Sequence, residues 1–383
     1  MDNTKIINGA GIKRNSSFEL MRLLCMFMII LGHCASATAQ DTKPYLGTMD
    51  NIGWFIKAFT ICSVNCFFLL TGYFGKSDNF RLSKVLELWI KTVFYSITIY
   101  TIVATLTGQF DLKEMVRYFF PVWTKRYWYM QTYLVASLLL PFLTKVLEEL
   151  DEKKHTFLIT VLIIFFSLHQ TFSQVTNTLD TAQGYGIIWC FVLCIVGSWL
   201  QRYGESIVKK RPSAFWILYY AVISVIIFIS NYLIVKLDIA QGVISRGKFY
   251  AYNSVTVFLQ SLFLFCFFIK LKDKMPYVKE INWLAQNALA GYLISAHPLI
   301  IFALWSDTLG MARFWKKPEI YVLTAIVFST VILLGCVLID KLVMLLLNKI
   351  GLGNKLRKTD MFFVFPNTPC TIGGYKSSNQ RGN

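Results

Sequence analysis

The sequence predicts an all-α fold, a polytopic integral membrane bundle of about ten transmembrane helices. Three observations support this prediction: 55% of the 383 residues are hydrophobic, only 15% are charged, and the mean hydropathy is +0.52. A soluble domain carries about 25% charged residues. Aromatic residues make up 16% of the chain, which suits helices whose ends lie at the two membrane surfaces.

Each long apolar run predicts one helix, because a helix that crosses a bilayer needs about 20 mostly apolar residues. The predicted helices are 18–39, 54–74, 88–107, 127–147, 156–170, 187–201, 214–235, 253–271, 283–304 and 320–347. All connections are short, so residues 18–347 are expected to form one membrane domain. Residues 1–17 precede it, and the tail 348–383 has no clear hydrophobic period and is expected to be poorly ordered.

The distribution of Lys and Arg predicts the orientation. With the N-terminus inside, the inner segments carry 23 of these residues and the outer segments carry 11. This bias indicates a multi-pass protein of the cell membrane, embedded in lipid, with both termini cytoplasmic. The net charge of +17 does not favour nucleic-acid binding, because the basic residues lie in short clusters between apolar runs.

The cysteines do not have the surroundings of a metal site. Cys62 and Cys66, and likewise Cys190 and Cys194, share a helix face but lack the flanking His or Cys of a zinc site. We therefore expect buried free thiols that behave as small hydrophobic side chains, and no metal. His155, beside Lys154 in an inner loop, is expected to be solvated.

The first predicted helix carries the strongest functional signal. Arg22 and His33 are eleven residues apart, so both project from nearly one face, about 16 Å apart along the axis. Glu19 lies one turn before Arg22 and is positioned to pair with it. Taken alone, Arg22 fits a side chain that reaches the membrane surface, and His33 fits a hydrogen bond to a neighbouring helix. Together they favour a functional groove, in which His33 suits general-base chemistry.

These residues and four further segments resemble the acyltransferase-3 family of membrane O-acyltransferases, which have about ten helices. The resemblance covers about residues 15–347. Thr71 replaces the family's usual serine, and Lys84 replaces an arginine and loses its bidentate phosphate geometry. In chain order, the matching segments are Arg22 with His33, Asn65–Tyr73, Arg81–Lys84, Tyr127–Tyr129 with Pro141, and Ala290–Pro298.

The resemblance implies an acyl donor, most often acetyl-CoA, and an acceptor hydroxyl on a cell-surface or lipid-linked polysaccharide. Arg81 and Lys84, with Arg22, would bind the donor. His33 would act as the base or carry the acyl group briefly, while Glu19 holds Arg22. Tentative substrate contacts are Asn65, Trp128 and His297, although His297 beside Pro298 also fits a structural kink.

Two other classes of membrane protein stay open from the sequence. A buried Arg and His also suit a transporter or a flippase of lipid-linked glycans. A polysaccharide polymerase is a further alternative, and it would need basic residues in large outer loops. The outer loop 170–186 is polar with one charge, Asp180, which suits a carbohydrate but also any solvated loop. The acyl group, acetyl or succinyl, is not predicted.

Overall fold

The computed structural model describes residues 14–41, 47–76, 80–172, 179, 182–237, 247–349, 351 and 356–362. Within these ranges the chain forms helices and no strand. The α-helices are α1 (Ser16–Asp41), α2 (Thr48–Thr60), α3 (Ser63–Phe74), α4 (Leu82–Thr107), α5 (Leu112–Phe119), α6 (Trp128–Glu148), α7 (Glu152–Ile163), α8 (His169–Phe172), α9 (Ile187–Trp199), α10 (Glu205–Lys209), α11 (Ser213–Lys236), α12 (Val255–Leu271), α13 (Lys279–Ala285), α14 (Leu289–Ser295) and α15 (Pro318–Lys349). Short π turns join α7 to α8 and α9 to α10.

Nine helical segments in the described ranges are long and apolar enough to cross a membrane. They correspond to nine of the ten predicted helices, which confirms the polytopic helical bundle. The second and third segments begin at Thr48 and Leu82, six residues before the predicted starts, because polar residues extend both helices beyond their apolar cores. The nine segments are Ser16–Ala37, Thr48–Phe74, Leu82–Thr107, Trp128–Glu148, Glu152–Phe172, Ile187–Lys209, Ser213–Lys236, Lys248–Leu271 and Pro318–Leu347.

The prediction of one continuous helix over 283–304 is wrong. This stretch contains the end of α13, then α14, which ends at Ser295, followed by turns. Pro298 lacks a backbone N–H and disfavours helical geometry at His297, which explains the end of α14. The His297 side chain forms two contacts at this break: Nδ1 accepts from Leu299 N at 3.2 Å, and Nε2 lies 3.2 Å from the Ser96 carbonyl oxygen.

Helices α3 and α9 pack closely against each other. A Cβ atom on Gly72 would lie 2.0 Å from the Cys194 carbonyl oxygen, and one on Gly197 would lie 2.2 Å from that of Leu69. Only glycine permits this backbone approach, as is common between membrane helices. The eight cysteines in the described residues are free and buried, which confirms their prediction as small hydrophobic side chains.

One prediction about a polar segment is wrong. His155 is fully buried rather than solvated, because its Nε2 lies 3.1 Å from the Ile195 carbonyl oxygen on α9. Part of the tail is ordered: residues 358–362 form a short 3₁₀ helix, and Asp360 accepts from the backbone N (2.8 Å) and Oγ (2.7 Å) of Ser83. Residues 363–383 lie outside the described residues.

Candidate active site

A cavity of about 590 Å³ runs alongside α1, within the size range of small-molecule sites. We name the ends of the bundle by residues that lie there, the Ser16 end and the Trp128 end. The cavity reaches both regions, because its lining includes Arg22 and Arg81 near one end and His33 and Trp128 near the other. An elongated ligand can therefore contact both groups of residues at once.

One face of α1 forms a wall of this cavity. Arg22, Met26, Ile29 and His33 all line it, at helical spacings of four, three and four residues. The prediction that Arg22 and His33 share a face is thus confirmed. Their separation of eleven residues corresponds to about 16 Å of helix rise.

Glu19 lies behind Arg22 and does not itself line the cavity. Nη1 of Arg22 donates a hydrogen bond to Oε1 of Glu19, which confirms the predicted pairing. The second carboxylate oxygen lies 3.6 Å from Nη1 of Arg14. The Glu19 side chain is only 4% exposed, so two cations offset the cost of burying its charge.

Further cations line the cavity at the Ser16 end. Arg81 precedes α4, Lys84 lies in its first turn, and Lys76 follows α3; all three are exposed. With Arg22 they give this end a positive potential that favours an anion such as a phosphate. Asp360 lies nearby, and the backbone N–H of Ser83 holds the pKa of its carboxyl below the usual range.

A second group of lysines, which we call the 270–279 cluster, does not belong with these cations. Its members are Lys270, Lys272, Lys274 and Lys279. Lys272 pairs with Glu205 and contacts the Tyr73 hydroxyl, and Lys270 donates to the Lys209 carbonyl. None of the cluster lines the cavity. Their contacts with Glu205 and Lys209 hold α10 against α12.

His33 lines the cavity towards the Trp128 end. Its Nδ1 is buried and has no hydrogen-bond partner within the described part of the chain. Lys57, on the neighbouring helix α2, lines the same cavity. Sequence reasoning did not single out Lys57. The available signal was a lysine within an apolar span, which is a functional indication by itself.

Aromatic rings form the wall of the cavity at the Trp128 end. The Trp128 ring centroid lies 4.4 Å from that of Tyr185 and 5.7 Å from that of Tyr252. The Tyr185 and Tyr252 centroids are 5.0 Å apart. Trp128 thus lies in the cavity wall, and its two tyrosine neighbours were missed because the fold brings them together from separate segments.

A strained turn holds Tyr185 in this aromatic cluster. Ala182, Gln183 and Gly184 have φ angles of 48°, 55° and 88°. Such a run of left-handed residues is costly for Ala and Gln, and strain of this kind concentrates at functional sites. The turn is fixed by a hydrogen bond from Tyr252 N to the Gln183 carbonyl at 3.1 Å. Residues 173–178, 180 and 181 of the predicted outer loop lie outside the described residues.

Asn65 and His297, two tentative substrate contacts, do not line the cavity. Asn65 is fully buried; its Nδ2 donates to the Tyr252 carbonyl at 2.7 Å, and its Oδ1 accepts from Trp189 Nε1 at 3.2 Å. Asn65 therefore braces the backbone of a cavity residue. His297 is also fully buried and stacks on Tyr118 with centroids 5.0 Å apart.

Residues 15–341 of the chain match the family model described as an acyltransferase domain. The match spans the whole of the bundle that forms the cavity, from the start of α1 into α15. No curated protein and no solved structure matches the chain.

Proposed function

The chain belongs to the acyltransferase family whose model covers residues 15–341, and from this premise we propose that it transfers an acetyl group from acetyl-CoA to a polysaccharide hydroxyl. The acceptor is a cell-surface or lipid-linked polysaccharide. One observation carries the proposal: a single cavity joins a cationic end to a histidine and an aromatic wall. These are the features that a phosphate-bearing donor, a proton acceptor and a sugar require.

The cationic end suits the phosphates of the donor. Arg22, Arg81 and Lys84 come from two helices and line one mouth of the cavity. Charge-assisted hydrogen bonds from guanidinium groups to phosphate are strong and geometrically specific. The thin pantetheine arm then extends along α1 towards His33, so the nucleotide part stays at the mouth and the thioester reaches the interior.

The chemistry requires one proton to move twice. His33 takes the proton from the acceptor hydroxyl as its oxygen bonds to the thioester carbonyl carbon. The carbon–sulfur bond then breaks, and His33 gives the proton to the departing thiolate, which leaves as the CoA thiol. With Nδ1 of His33 buried, Nε2 is the ring nitrogen that meets the hydroxyl. This pathway uses no group other than the two substrates and the protein.

The aromatic wall suits the acceptor. Trp128, Tyr185 and Tyr252 present ring faces and hydroxyl groups next to the region of His33. The negative face of an aromatic ring attracts the C–H groups of a sugar, and the tyrosine hydroxyls can bond its oxygens. We place the Ser16 end at the cytoplasm, where acyl-CoA is made; the excess of Lys and Arg in the segments on that side supports this orientation.

Two experiments test the proposal. Acetyl content of the envelope polysaccharide is measured in cells that lack the gene and carry either the wild-type gene or His33→Ala. We expect wild type to restore acetylation and His33→Ala to leave it at the level of the deletion. Unchanged acetyl content in the deletion contradicts acetyl transfer to this polymer, and glycan movement without acetyl transfer indicates a flippase.

The donor site is tested with Arg81→Ala and two donors. The KM for acetyl-CoA is expected to rise about tenfold, which corresponds to about 1.4 kcal/mol of lost phosphate binding. Acetylpantetheine lacks the nucleotide phosphates, so its KM should stay within about twofold of the wild-type value. An equal rise for both donors means that Arg81 does not bind those phosphates. Lys125→Ala, an exposed lysine that does not line the cavity, is the control.

A further inference from the structure

Lys57 is a charged residue inside a membrane-spanning segment. It lies in α2, within the span Thr48–Phe74, and its side chain lines the cavity. A lysine in a membrane helix costs at least ~2.5 kcal/mol near the bilayer centre, and such residues usually face a wet cavity and serve a function. The mechanism described above does not use this lysine.

Aromatic neighbours hold the Lys57 ammonium in position. Its Nζ lies 5.0 Å from the ring centroid of Trp54, one turn earlier on α2, in a cation–π contact. Trp54 is in turn fixed by Tyr250, whose ring centroid is 4.8 Å away and whose hydroxyl donates to the Trp54 carbonyl at 2.9 Å. The cation is thus ordered rather than loosely solvated.

Close packing of α1 and α2 brings Lys57 and His33 to the same part of the cavity. A Cβ atom on Gly32 would lie 3.1 Å from Oγ1 of Thr60, so the two helices approach closely beside His33. Lys57 lies one turn before Thr60 on the same helix. Gly32, His33, Lys57 and Thr60 all line the cavity.

Lys91, another lysine within a membrane-spanning segment, serves as a comparison. Lys91 donates to Asp340 at 2.6 Å, and Tyr95 donates to the same carboxylate at 2.9 Å. These three residues do not line the cavity. Lys91 therefore has the arrangement of a structural ion pair between α4 and α15, whereas Lys57 lines the cavity that the candidate base His33 also lines.

We propose that Lys57 is a catalytic residue that stabilises the oxyanion formed on the thioester carbonyl. This inference rests on the proposed function. When the acceptor hydroxyl adds to the carbonyl carbon and its proton goes to His33, the carbonyl oxygen gains a negative charge. The Lys57 ammonium donates a hydrogen bond to that oxygen without losing its proton. The charge returns to the carbon–oxygen double bond as the thiolate leaves.

The physical basis is differential binding. The ground-state carbonyl oxygen carries only a partial charge, whereas the oxyanion carries a full one, so a positioned cation favours the tetrahedral species. Within the protein, where the effective dielectric constant is below that of water, this interaction is stronger than in water. Loss of such a donor lowers kcat by about 10² to 10³ and changes substrate affinity little.

The test compares Lys57→Met, Lys57→Arg and the control Lys125→Met in purified protein. The substrates are labelled acetyl-CoA and envelope polysaccharide isolated from cells that lack the gene. We expect Lys57→Met to lower kcat about 100-fold or more, with the KM for acetyl-CoA within about threefold of wild type. Lys57→Arg, which keeps the charge, is expected to recover kcat to within about tenfold, and Lys125→Met to match wild type.

The outcomes separate the two proposals. A wild-type kcat in Lys57→Met overturns the role of Lys57, as does a raised KM with unchanged kcat, which indicates substrate binding only. A kcat of Lys57→Arg that is no higher than the kcat of Lys57→Met also overturns it, because the positive charge would then not contribute to catalysis. If Lys57→Met does not fold, Lys57→Gln replaces it, and its kcat is expected to lie below that of Lys57→Arg because the amide carries no charge. No transfer by wild type contradicts the proposed function itself.

Discussion

Arg22 and Glu19 form a hydrogen-bonded ion pair within one turn of α1, at the Ser16 end of the cavity. The Arg22 side chain is 31% exposed, whereas that of Glu19 is 4% exposed. Glu19 therefore anchors the guanidinium from the protein side and leaves it accessible from the cavity. Within this turn, Arg22 is the residue that a ligand can contact, and Glu19 is the residue that orients Arg22.

The variant Glu19→Gln tests whether the charge of Glu19 orients Arg22. The change keeps the shape of the side chain but removes the charge that orients Arg22. We expect the KM for acetyl-CoA to rise about fivefold, equivalent to about 1 kcal/mol, because the partner is partly exposed and screened by solvent. The kcat should stay within about twofold. Steady-state kinetics give both values, with exposed Glu149→Gln as the control. A loss confined to kcat would contradict an orienting role in donor binding.

The α3–α9 contact predicts a sharp difference between two glycines. Gly72→Ala places a methyl group 2.0 Å from the Cys194 carbonyl oxygen, so the helices must separate, at a cost of about 3 kcal/mol or more. Gly335→Ala, on α15, has open space and is expected to be neutral or slightly stabilising. Size-exclusion profiles and melting temperatures in detergent compare the two. Equal melting temperatures would show that α3 and α9 do not pack this closely.

The buried pair Lys91–Asp340 predicts non-additive stability effects. Lys91→Met or Asp340→Leu leaves one buried charge without its partner, which costs about 3–5 kcal/mol of unfolding free energy. The double variant removes both charges and is expected to be more stable than either single variant. Thermal unfolding in detergent measures all three. Additive losses would contradict a direct interaction between the two side chains.

The contact between Asp360 and Ser83 predicts an acid-sensitive tail. Because the Ser83 N–H lowers the pKa of Asp360 below its usual value of about 3.9, the ionised form stabilises the docked tail. This stabilisation is complete above the usual value and is lost as the pH falls through the lowered pKa. Hydrogen exchange of residues 356–362, corrected for intrinsic rates, should accelerate across that range.

The same experiment at pH 7 has a matched pair of variants. Asp360→Asn is expected to speed exchange of these amides several-fold, because the amide accepts a weaker hydrogen bond than the carboxylate. Lys358→Gln, on an exposed side chain of the same turn, should exchange like wild type. Equal exchange in Asp360→Asn and wild type would mean that this carboxylate does not hold the tail.

Local helix geometry explains what the sequence predicted well. The shared face of Arg22 and His33 and the pairing of Glu19 with Arg22 depend on residues within one helix, where 3.6 residues per turn fix the arrangement. Nine of the helical spans follow from continuous apolar runs in the same way. Gly72 lies in the family-like segment Asn65–Tyr73. A glycine is required there because the Cys194 carbonyl oxygen occupies the space of a Cβ atom.

Contacts between distant segments explain what was missed. Lys57 reaches the cavity only through the packing of α2 on α1, and Tyr252 reaches it only through the packing of its segment against Tyr185 and Trp128. His155 is buried because α9 supplies the Ile195 carbonyl. The apolar run over 283–304 predicted one continuous helix, and the kink suggested by the His297–Pro298 pair was the sequence signal for the end of α14.

The most direct test of the central claim is label transfer by purified protein in lipid nanodiscs. Acetyl-CoA labelled in the acetyl group is incubated with envelope polysaccharide isolated from cells that lack the gene, and polymer-bound label is counted. The account predicts transfer by wild type and a rate at least about 100-fold lower for His33→Ala, with a similar melting temperature. A His33→Ala protein that transfers label at the wild-type rate would contradict the account.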